Sequence, residues 1–339
     1  MAGARHGGAE AFFVRLVAAL ARAGLESRVV VRGYPERRAA LARSGIAPVE
    51  LGFGGPFDLA TRIGLAREIR RFRPHVVLTW MNRATTLLPP QALCGVRFVH
   101  AARLGGYYDL KYYRRADHLV ANTRDIARHL VAAGWPERRV HYLPNFVDAG
   151  QVEPVDRVAQ GVAPGATLAL ALGRLHPNKG FDVLLKALAG APAVHLWLAG
   201  EGEERASLEA QAARLGLGQR VRFLGWREDA GALIAAADMV VCPSRIEPLG
   251  NVVIEAWARA RPVIATACAG PAALIAHESS GLLVPIDDAS ALAAALTRLA
   301  GDPALKRRLA AAGRLAYESE FTEAAVVAQY LAFFARIAS

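Results

Sequence analysis

Two glutamates, Glu247 and Glu255, stand eight positions apart in a segment whose residue types suit ligand binding. The apolar run 239–241 predicts a buried strand, the polar residues after it predict a loop, and a helix is predicted to begin near Gly250. Carboxylates accept hydrogen bonds from sugar hydroxyls, whereas the unpaired N–H groups at a helix N-terminus stabilise an anion. The segment therefore favours a nucleotide-sugar site, although its spacing also fits a helix with an acidic cap and a surface glutamate.

Two basic residues, Arg174 and Lys179, provide a second candidate for chemistry. They stand in a loop between a strand predicted for 168–172 and a helix predicted from residue 183. When the glycosidic bond of a nucleotide sugar breaks, negative charge gathers on the leaving diphosphate, and fixed cations stabilise that transition state. The strand–loop–helix context favours this role over a surface turn with scattered basic residues.

The segment EPLGNVVIE, residues 247–255, resembles the Glu-x7-Glu signature of retaining GT-B glycosyltransferases of family 4, the glycosyl transferases group 1. Further matches follow in the family's order, in the segments 143–148, 173–180, 200–202, 221–225 and 281–284. Two loops of the first half are similar to those of lipopolysaccharide and cell-envelope members. The resemblance implies an α/β fold of GT-B type, in which two Rossmann-like domains present parallel sheets to each other across a cleft.

The resemblance also implies roles for individual residues. In the resembled enzymes the arginine and lysine hold the diphosphate, the first glutamate binds hydroxyls of the transferred sugar and the second binds the ribose. Catalytic roles are thus implied for Arg174, Lys179 and Glu247. Donor binding is implied for Gly7, Gly8, Gly173, Trp226, Arg227, Leu249, Gly250, Asn251 and Glu255. No metal is expected, since the sequence contains no Asp-x-Asp pair, and no cofactor is expected besides the nucleotide sugar as co-substrate.

Gly7 and Gly8 precede an amphipathic helix predicted over 11–23. A glycine-rich turn before a helix suits phosphate binding, and a simple N-cap turn fits equally well. In the resembled family this loop follows a first β-strand, for which this sequence has no counterpart. The first domain is therefore expected to lack that strand.

Two polar and aromatic loops are predicted after strands of the first half, at 80–83 and 103–108. Arginine supplies forked donors for phosphate or carboxylate, and aromatic faces stack on sugar rings. Packing between the loops is the alternative. His100 lies on a predicted strand as a packing residue, so no histidine receives a role. Acceptor binding is expected from Asn82, Arg83, Arg103 and Tyr107.

Short apolar runs alternate with helical patterns along the chain, which predicts parallel sheets covered by helices. In the first half, strands are predicted over 28–31, 49–51, 75–79, 97–101, 118–121 and 140–142, and helices over 36–44, 59–72 and 123–133. Residues 1–150 are expected to form an acceptor-side domain and 151–320 a nucleotide-sugar domain, with 150–166 as the hinge. Residues 321–339 are expected to form a helix that crosses back to the first domain.

The charge of the chain is concentrated in its first half. Residues 1–150 contain 23 Lys and Arg against 11 Asp and Glu, whereas residues 151–339 contain 18 against 19. An anionic partner is therefore expected, either a glycolipid or glycan acceptor or an anionic membrane surface that the segment 112–115 contacts. The arginine usage of a GC-rich bacterium is an alternative explanation. Nucleic acid is disfavoured, because no helix-turn-helix or zinc pattern accompanies the charge.

Three cysteines without regular spacing, the lack of an apolar run of about 18 residues and the lack of a signal peptide indicate a cytoplasmic protein, with peripheral contact to the inner face of the cytoplasmic membrane. The predicted function is retaining transfer of a sugar from a nucleotide sugar to a hydroxyl of a lipopolysaccharide or lipid-linked glycan. A nucleotide-sugar epimerase of the same fold and a catalytically inactive glycan- or membrane-binding module are the alternatives.

Overall fold

The computed structural model describes residues 1–5, 7–55, 57–147, 149–150 and 152–338. The chain divides into two compact units. The first unit comprises Met1–Phe146 and Glu323–Ser339, and the second comprises Val147–Thr322. The division thus falls four residues before the expected end of the first domain at residue 150, and Asp148, within the segment that resembles the end of that domain, lies outside the described residues.

Every strand pair in the first unit is parallel, and the strands form two sheets with the orders β1-β2 and β3-β4-β5-β6. The strands are β1 (Val30–Arg32), β2 (Val49–Leu51), β3 (Val76–Trp80), β4 (Val99–Leu104), β5 (His118–Ala121) and β6 (Val140–Tyr142). The helices are α1 (Gly8–Arg22), α2 (Pro35–Ala42), α3 (Leu59–Phe72), α4 (Met81–Leu87), α5 (Gln91–Cys94) and α6 (Arg124–Ala132).

The second unit contains one six-stranded parallel sheet with the order β12-β11-β10-β7-β8-β9. Its strands are β7 (Thr167–Leu172), β8 (Val194–Ala199), β9 (Val221–Gly225), β10 (Met239–Cys242), β11 (Val263–Thr266) and β12 (Leu282–Val284). Its helices are α7 (Phe181–Ala189), α8 (Arg205–Arg214), α9 (Ala230–Ala236), α10 (Asn251–Trp257), α11 (Ala269–Leu274), α12 (Ala289–Gly301) and α13 (Pro303–Glu320). The last helix, α14 (Glu323–Ala338), belongs to the first unit. The predicted α/β class with parallel sheets is confirmed in both units.

The sheet of the second unit is buried on both faces, as its continuous apolar strands require. Leu184 and Leu188 of α7 pack on one face together with Leu296 of α12. Ile254 and Trp257 of α10 pack on the other face. The sheet is therefore held between two helical layers, and its strand ends are fixed in relation to one another.

The stretch 303–338 is long and apolar enough to cross a membrane by length and composition alone, and 33% of its most apolar window is buried. The structure divides this stretch into α13 and α14, which belong to different units. Leu305 and Leu309 of α13 lie in the core of the second unit, whereas Tyr330 and Phe333 of α14 lie in the core of the first. We therefore interpret both as core helices.

Met1 is hydrogen-bonded to β1 in the manner of a neighbouring parallel strand. Its amino group donates to the carbonyl of Val30 at 2.8 Å, and the N–H of Arg32 donates to the Met1 carbonyl at 2.9 Å. Burial, and then the charge of Arg37, lower the pKa of this amino group to about 5. The described residues before α1 contain no strand of their own, and an apolar cavity of about 780 Å³ lies between β1 and β3.

Candidate functional site

The candidate site lies at one edge of the second unit's sheet. Because all six strands are parallel, the loops that follow β7, β8, β9, β10 and β11 emerge at the same edge. Ligands of open parallel sheets bind at the carboxyl ends of the strands. The structure places all the donor-site residues predicted in the second half of the chain in these loops or in α10, the helix after the β10 loop.

The loops after β7 and β8 approach each other through glycines. Gly173 has a φ of +150° and Gly200 a φ of +148°, a region that side chains rarely adopt. A Cβ atom on Gly200 would lie 1.8 Å from the carbonyl oxygen of Gly173. The close approach therefore requires glycine at Gly200, and it fixes the start of the loop that carries Arg174 and Lys179.

Arg174 and Lys179 differ in their surroundings. Arg174 is exposed, and it has no hydrogen bond or ion pair with any residue in the described part of the chain. Lys179 ends a short 3-10 turn, Pro177–Lys179, and its side chain is 26% exposed. The turn ends at Gly180, which has a φ of +64°. A Cβ atom at this position would lie 2.1 Å from the carbonyl oxygen of Pro243, so the position requires glycine.

Glu247 lies in the loop after β10, opposite Lys179. The Nζ of Lys179 donates to the Oε2 of Glu247 at 2.5 Å, and the Glu247 side chain is 14% exposed. The other carboxylate oxygen accepts from the N–H of Gly250 at 3.3 Å. The loop backbone is held in turn by the N–H of Gly270, which donates to the Glu247 carbonyl at 2.8 Å. The structure thus brings together the lysine and the first glutamate of the predicted site.

The helix of the Glu-x7-Glu segment begins at Asn251, with Gly250 as its N-cap residue in the left-handed region at φ +73°. Leu249 and Gly250 therefore precede the helix, and Glu255 lies within it. Glu247 belongs to the loop and Glu255 to the helix, in agreement with the predicted loop and the predicted helix start near Gly250. The donor-binding roles of these residues stay predictions.

Trp226 and Arg227, two of the predicted donor-binding residues, follow β9. The strand ends at Gly225 with a φ of +70°, and both residues lie in the loop directly after it. The Trp226 side chain is 74% exposed, which suits stacking with a planar ligand. Arg227 makes a two-point ion pair with Asp229, at 2.7 Å and 2.6 Å, whose hydrogen bonds lower the pKa of the Asp229 carboxyl.

The two cysteines beside this edge are not poised as nucleophiles. Cys242 ends β10 and Cys268 precedes α11, and both are buried. Burial raises the pKa of Cys242 to about 12 and also raises the pKa of Cys268. Both thiols therefore remain protonated at neutral pH, and the reactive thiolate is not formed.

The structure at Gly7 and Gly8 differs from the predicted phosphate-binding turn. Gly8 is the first residue of α1, which begins three residues earlier than predicted, and Gly7 is its N-cap in extended backbone. The carboxylate of Glu10 folds over this N-terminus, where it accepts from the N–H of Ala4 at 2.9 Å. An incoming phosphate would meet that negative charge, so the geometry does not favour a phosphate there.

The two predicted acceptor loops of the first unit need correction. The segment 80–83 is not a loop, because Trp80 ends β3 and α4 begins at Met81. Asn82 accepts a hydrogen bond from the hydroxyl of Tyr113, a fully buried residue of the expected membrane-facing segment 112–115. Arg83 is exposed, and it has no ion pair within the described part of the chain.

Arg103 lies in β4 and is only 2% exposed, so its predicted place in a polar loop is wrong. Its Nε donates to the hydroxyl of Tyr330 at 2.9 Å, and its Nη2 donates to the Oδ1 of Asn145 at 2.5 Å. The guanidinium also lies over the rings of Trp80 and Phe12, at 4.4 Å and 4.9 Å from their centroids. These contacts make Arg103 a core residue of the first unit.

Tyr107 lies in the loop after β4, as predicted, and is 47% exposed. Its hydroxyl donates to Asp125, and burial followed by this contact raises the pKa of Tyr107 to about 12. The neighbouring His100 is 3% exposed and hydrogen-bonded to Thr79 at 2.9 Å, which confirms it as a packing residue. Of the predicted acceptor residues, Arg83 and Tyr107 present side chains to solvent.

Two features of the site escaped the sequence analysis. Gly270 approaches the Glu247 loop so closely that a Cβ would lie 2.4 Å from the Glu247 carbonyl oxygen. Arg245 bridges the loops that carry Lys179 and Glu247, and the only sequence signal for it is its position two residues before Glu247. No group of three or more His, Cys, Asp or Glu residues that could hold a metal ion occurs among the residues described.

Solved structures of the same fold match almost the whole chain. A glycosyltransferase from Rickettsia africae has a TM-score of 0.89 at 19% identity, covering 99% of this chain and 97% of that one. Anabaena HepE, solved in complex with UDP, has a TM-score of 0.86 at 20% identity, covering 99% and 98%. The fold is therefore that of a GT-B glycosyltransferase, with two parallel-sheet α/β domains.

The family follows from the sequence comparisons. The model described as Glycosyltransferase Family 4 matches residues 6–151, and the model described as Glycosyl transferases group 1 matches residues 166–302. The lipopolysaccharide core biosynthesis glycosyltransferase LpsE of Rhizobium meliloti (strain 1021) is 37% identical over 332 residues, which cover 96% of this chain and 95% of LpsE. The chain belongs to glycosyltransferase family 4, and it is a glycosyltransferase.

Proposed function

We propose that this protein transfers a hexose from a nucleotide sugar, with retention of configuration, to a hydroxyl of a lipopolysaccharide core or lipid-linked glycan. The observation that carries the proposal is the Lys179–Glu247 pair beside the exposed Arg174 at the carboxyl edge of the second unit's sheet. The pair offers a cation for the diphosphate and a carboxylate for the sugar, which supports the proposal.

The chemistry follows from these charges. Arg174 and Lys179 bind the diphosphate and stabilise the charge that develops on it as the glycosidic bond breaks. Glu247 accepts hydrogen bonds from hydroxyls of the sugar, and Glu255 binds the ribose. HepE, the Anabaena protein of the same fold, has also been solved in complex with UDP-glucose, which supports a nucleotide-sugar donor.

Retention and metal independence are parts of the proposal. The acceptor hydroxyl attacks from the face that the diphosphate leaves, and an oxygen of the diphosphate takes its proton. Two fixed cations and the N–H groups of Leu249, Gly250 and Asn251 then provide the charge stabilisation for which other glycosyltransferases use a metal. No cofactor besides the nucleotide sugar takes part.

The acceptor is proposed to be an anionic glycolipid or glycan. LpsE, which aligns along nearly its whole length, is named for lipopolysaccharide core biosynthesis. The basic residues of the first half of the chain provide charge complementarity to phosphorylated glycans. Arg83 and Tyr107 are the acceptor-binding candidates whose side chains reach solvent.

The protein is proposed to act in the cytoplasm, in peripheral contact with the anionic inner face of the membrane. The first unit exposes an apolar tip at the start of α3, where Phe57 is 93%, Leu59 is 67% and Ile63 is 51% exposed. Arg67 and Arg71 continue the exposed face of the same helix. Apolar side chains inserted at the headgroup level beside arginines are typical of peripheral membrane binding. A nucleic acid backbone would neutralise the arginines but would not bury the apolar side chains.

Thermal unfolding with a panel of UDP-, GDP- and ADP-sugars tests the donor. A ligand at 100 times its Kd adds about 2.7 kcal/mol of stability. We expect a rise of Tm with sugars of one base, and its loss in Arg174→Ala. The matched control is Arg214→Ala, which replaces an exposed arginine at the end of α8.

Transfer to purified lipopolysaccharide core, detected as release of the nucleoside diphosphate, then tests the reaction. Release that requires the acceptor supports the transferase. An epimerised nucleotide sugar without release would instead indicate an epimerase, and glycan binding without turnover would indicate an inactive module.

A further inference from the structure

The guanidinium of Arg245 makes four hydrogen bonds at the edge of the donor site. Its Nη1 and Nη2 donate to the two carboxylate oxygens of Asp182, each at 2.8 Å. Nη1 also donates to the carbonyl of Pro177 at 2.6 Å, and Nε donates to Asp287 at 2.6 Å. Arg245 thus joins its own loop after β10 to the turn that ends at Lys179, to the start of α7 and to the loop after β12.

The backbone of the Arg245 loop holds the same turn. The N–H of Arg245 donates to the carbonyl of Asn178 at 2.8 Å, and the N–H of Ile246 donates to the same oxygen at 3.2 Å. These contacts lie directly before Lys179 on one loop and directly before Glu247 on the other. The main-chain and side-chain bonds of Arg245 therefore set the distance between the two loops whose tips form the Lys179–Glu247 pair.

The charges around Arg245 indicate that it acts on the loops and not on the substrate. Two carboxylates, those of Asp182 and Asp287, neutralise a single guanidinium. The hydrogen bonds of Asp182 raise the pKa of Arg245. Burial alone would raise the pKa of Asp182, but the hydrogen bonds and charge of Arg245 outweigh it and lower that pKa. A diphosphate would have to displace both carboxylates to reach this cation, whereas Arg174 is open.

We propose that Arg245 is a positioning residue of the donor site, which holds Lys179 at the distance from Glu247 that donor binding requires. This inference rests on the proposed function and extends it to a residue that does not contact the donor. Arginine suits the task because its planar fork fixes direction as well as distance, which the point charge of lysine does not. Arg245→Lys therefore keeps the charge and loses the alignment.

Hydrogen exchange measured by mass spectrometry tests the positioning without any ligand. The turn contains two amides bonded to its own backbone, those of Lys179 and Gly180, which donate to the carbonyls of His176 and Pro177. In Arg245→Lys and in Asp182→Asn we expect faster exchange across 176–180, with exchange in β7 and β8 unchanged. The control is Arg298→Lys, which alters a comparable two-point pair with Glu278 elsewhere in the second unit. Unchanged exchange in the turn would overturn the proposal.

A double-mutant cycle distinguishes positioning from a purely structural role. We expect Arg245→Lys alone to lower kcat/KM for the donor by about 10- to 100-fold, as a small misplacement does. In the Lys179→Ala background the same change should cost little more, because the residue that it positions is absent. Additive losses would show that Arg245 acts independently of Lys179 and would overturn the proposal.

Failure of the proposed function and failure of the Arg245 proposal give different experimental results. If wild-type protein binds none of UDP, GDP and ADP and turns over no donor, the proposed function fails, while the exchange experiment still decides whether Arg245 holds the Lys179 turn. If the donor is turned over and the cycle is additive, the proposed function stands and the role of Arg245 is refuted.

Discussion

Lys179 and Glu247 form an ion pair across two loops of the second unit, with Nζ 2.5 Å from Oε2. Both side chains are largely withdrawn from solvent, so neither charge would be left unpaired without cost. Under the proposed function, a diphosphate bound to Lys179 would replace Glu247 as its partner, and the released carboxylate would accept hydrogen bonds from sugar hydroxyls. Donor binding would then exchange one set of polar contacts for another, so that neither buried charge is left unpaired.

The first prediction concerns the cation of this pair. Lys179→Ala should lower kcat by about 100- to 1,000-fold, because it removes a cation that stabilises the negative charge developing on the leaving diphosphate. Initial rates with the donor found in the thermal screen provide the measurement. Lys186→Ala is the matched control, since Lys186 is an exposed lysine of α7, and its rate should equal that of the wild type. Equal rates for both variants would contradict the assignment of Lys179.

The second prediction concerns the carboxylate. In Glu247→Gln, Lys179 loses its anionic partner and is free for the diphosphate, so the free nucleoside diphosphate should bind as tightly as to the wild type or more tightly. The nucleotide sugar should be turned over more slowly, by at least about tenfold, because the hydroxyls lose a charged acceptor. Calorimetry with the diphosphate and initial rates with its sugar measure the two effects. Weaker binding of the diphosphate would place Glu247 at the phosphates instead of the sugar.

Elements governed by local signals could be predicted from the sequence. Helix α3 has the predicted bounds, because Asp58 caps its N-terminus by accepting from the N–H of Thr61 at 2.8 Å, and Arg73 ends it in the left-handed region at φ +54°. Strands β2, β5 and β6 also have the predicted bounds. The loops of the predicted donor site could also be located, because ligands of parallel sheets bind at the carboxyl ends of the strands. This rule depends on the topology of the sheet and requires only the positions of the strands.

Features that depend on distant contacts could not be predicted. Arg103 follows a strand pattern with polar and aromatic residues after it, which favours a loop. Its hydrogen-bond partner Tyr330 lies 227 positions further along the chain, so nothing local shows that the guanidinium is buried. The bridge from Arg245 to Asp182 spans 63 positions and escaped notice for the same reason. Such partners become visible only when the fold brings them together.

The third prediction follows from the burial of Arg103. Arg103→Ala should destabilise the first unit by about 2–4 kcal/mol, because it leaves a cavity beside two aromatic rings and removes one hydrogen-bond donor from each of Tyr330 and Asn145. Urea unfolding curves, monitored by tryptophan fluorescence, measure the decrease in the free energy of unfolding. Arg83→Ala, which replaces an exposed arginine of α4, should leave the midpoint unchanged. A stable Arg103→Ala protein with impaired acceptor binding would instead restore the acceptor role predicted from the sequence.

The fourth prediction concerns pH and the pair of His118 and His141 in the first unit. The Nη2 of Arg336 lies 3.1 Å from the Nδ1 of His141, and since arginine only donates, that nitrogen is unprotonated in the neutral ring. The proton of neutral His141 is then on Nε2, which donates to the Nδ1 of His118 at 2.9 Å. Burial first, and then the charges of His118 and Arg336, lower the pKa of His141 to about 4 from 6.5.

The direction of the effect follows from that pKa. Between pH 6.5 and pH 4 the unfolded chain binds a proton at His141 that the folded unit does not, so stability that is present above pH 6.5 is lost as the pH falls towards 4. Because the ring is only partly buried, solvent screening limits the loss to on the order of 1–2 kcal/mol. His141→Asn keeps an acceptor and a donor without titrating, so its stability should fall less over this window, whereas the exposed His75→Asn should follow the wild type. The measurement is the urea midpoint of each protein at pH 7.5, 5.5 and 4.5. If the midpoints of His141→Asn and the wild type fall equally with pH, His141 does not control the acid stability of the first unit.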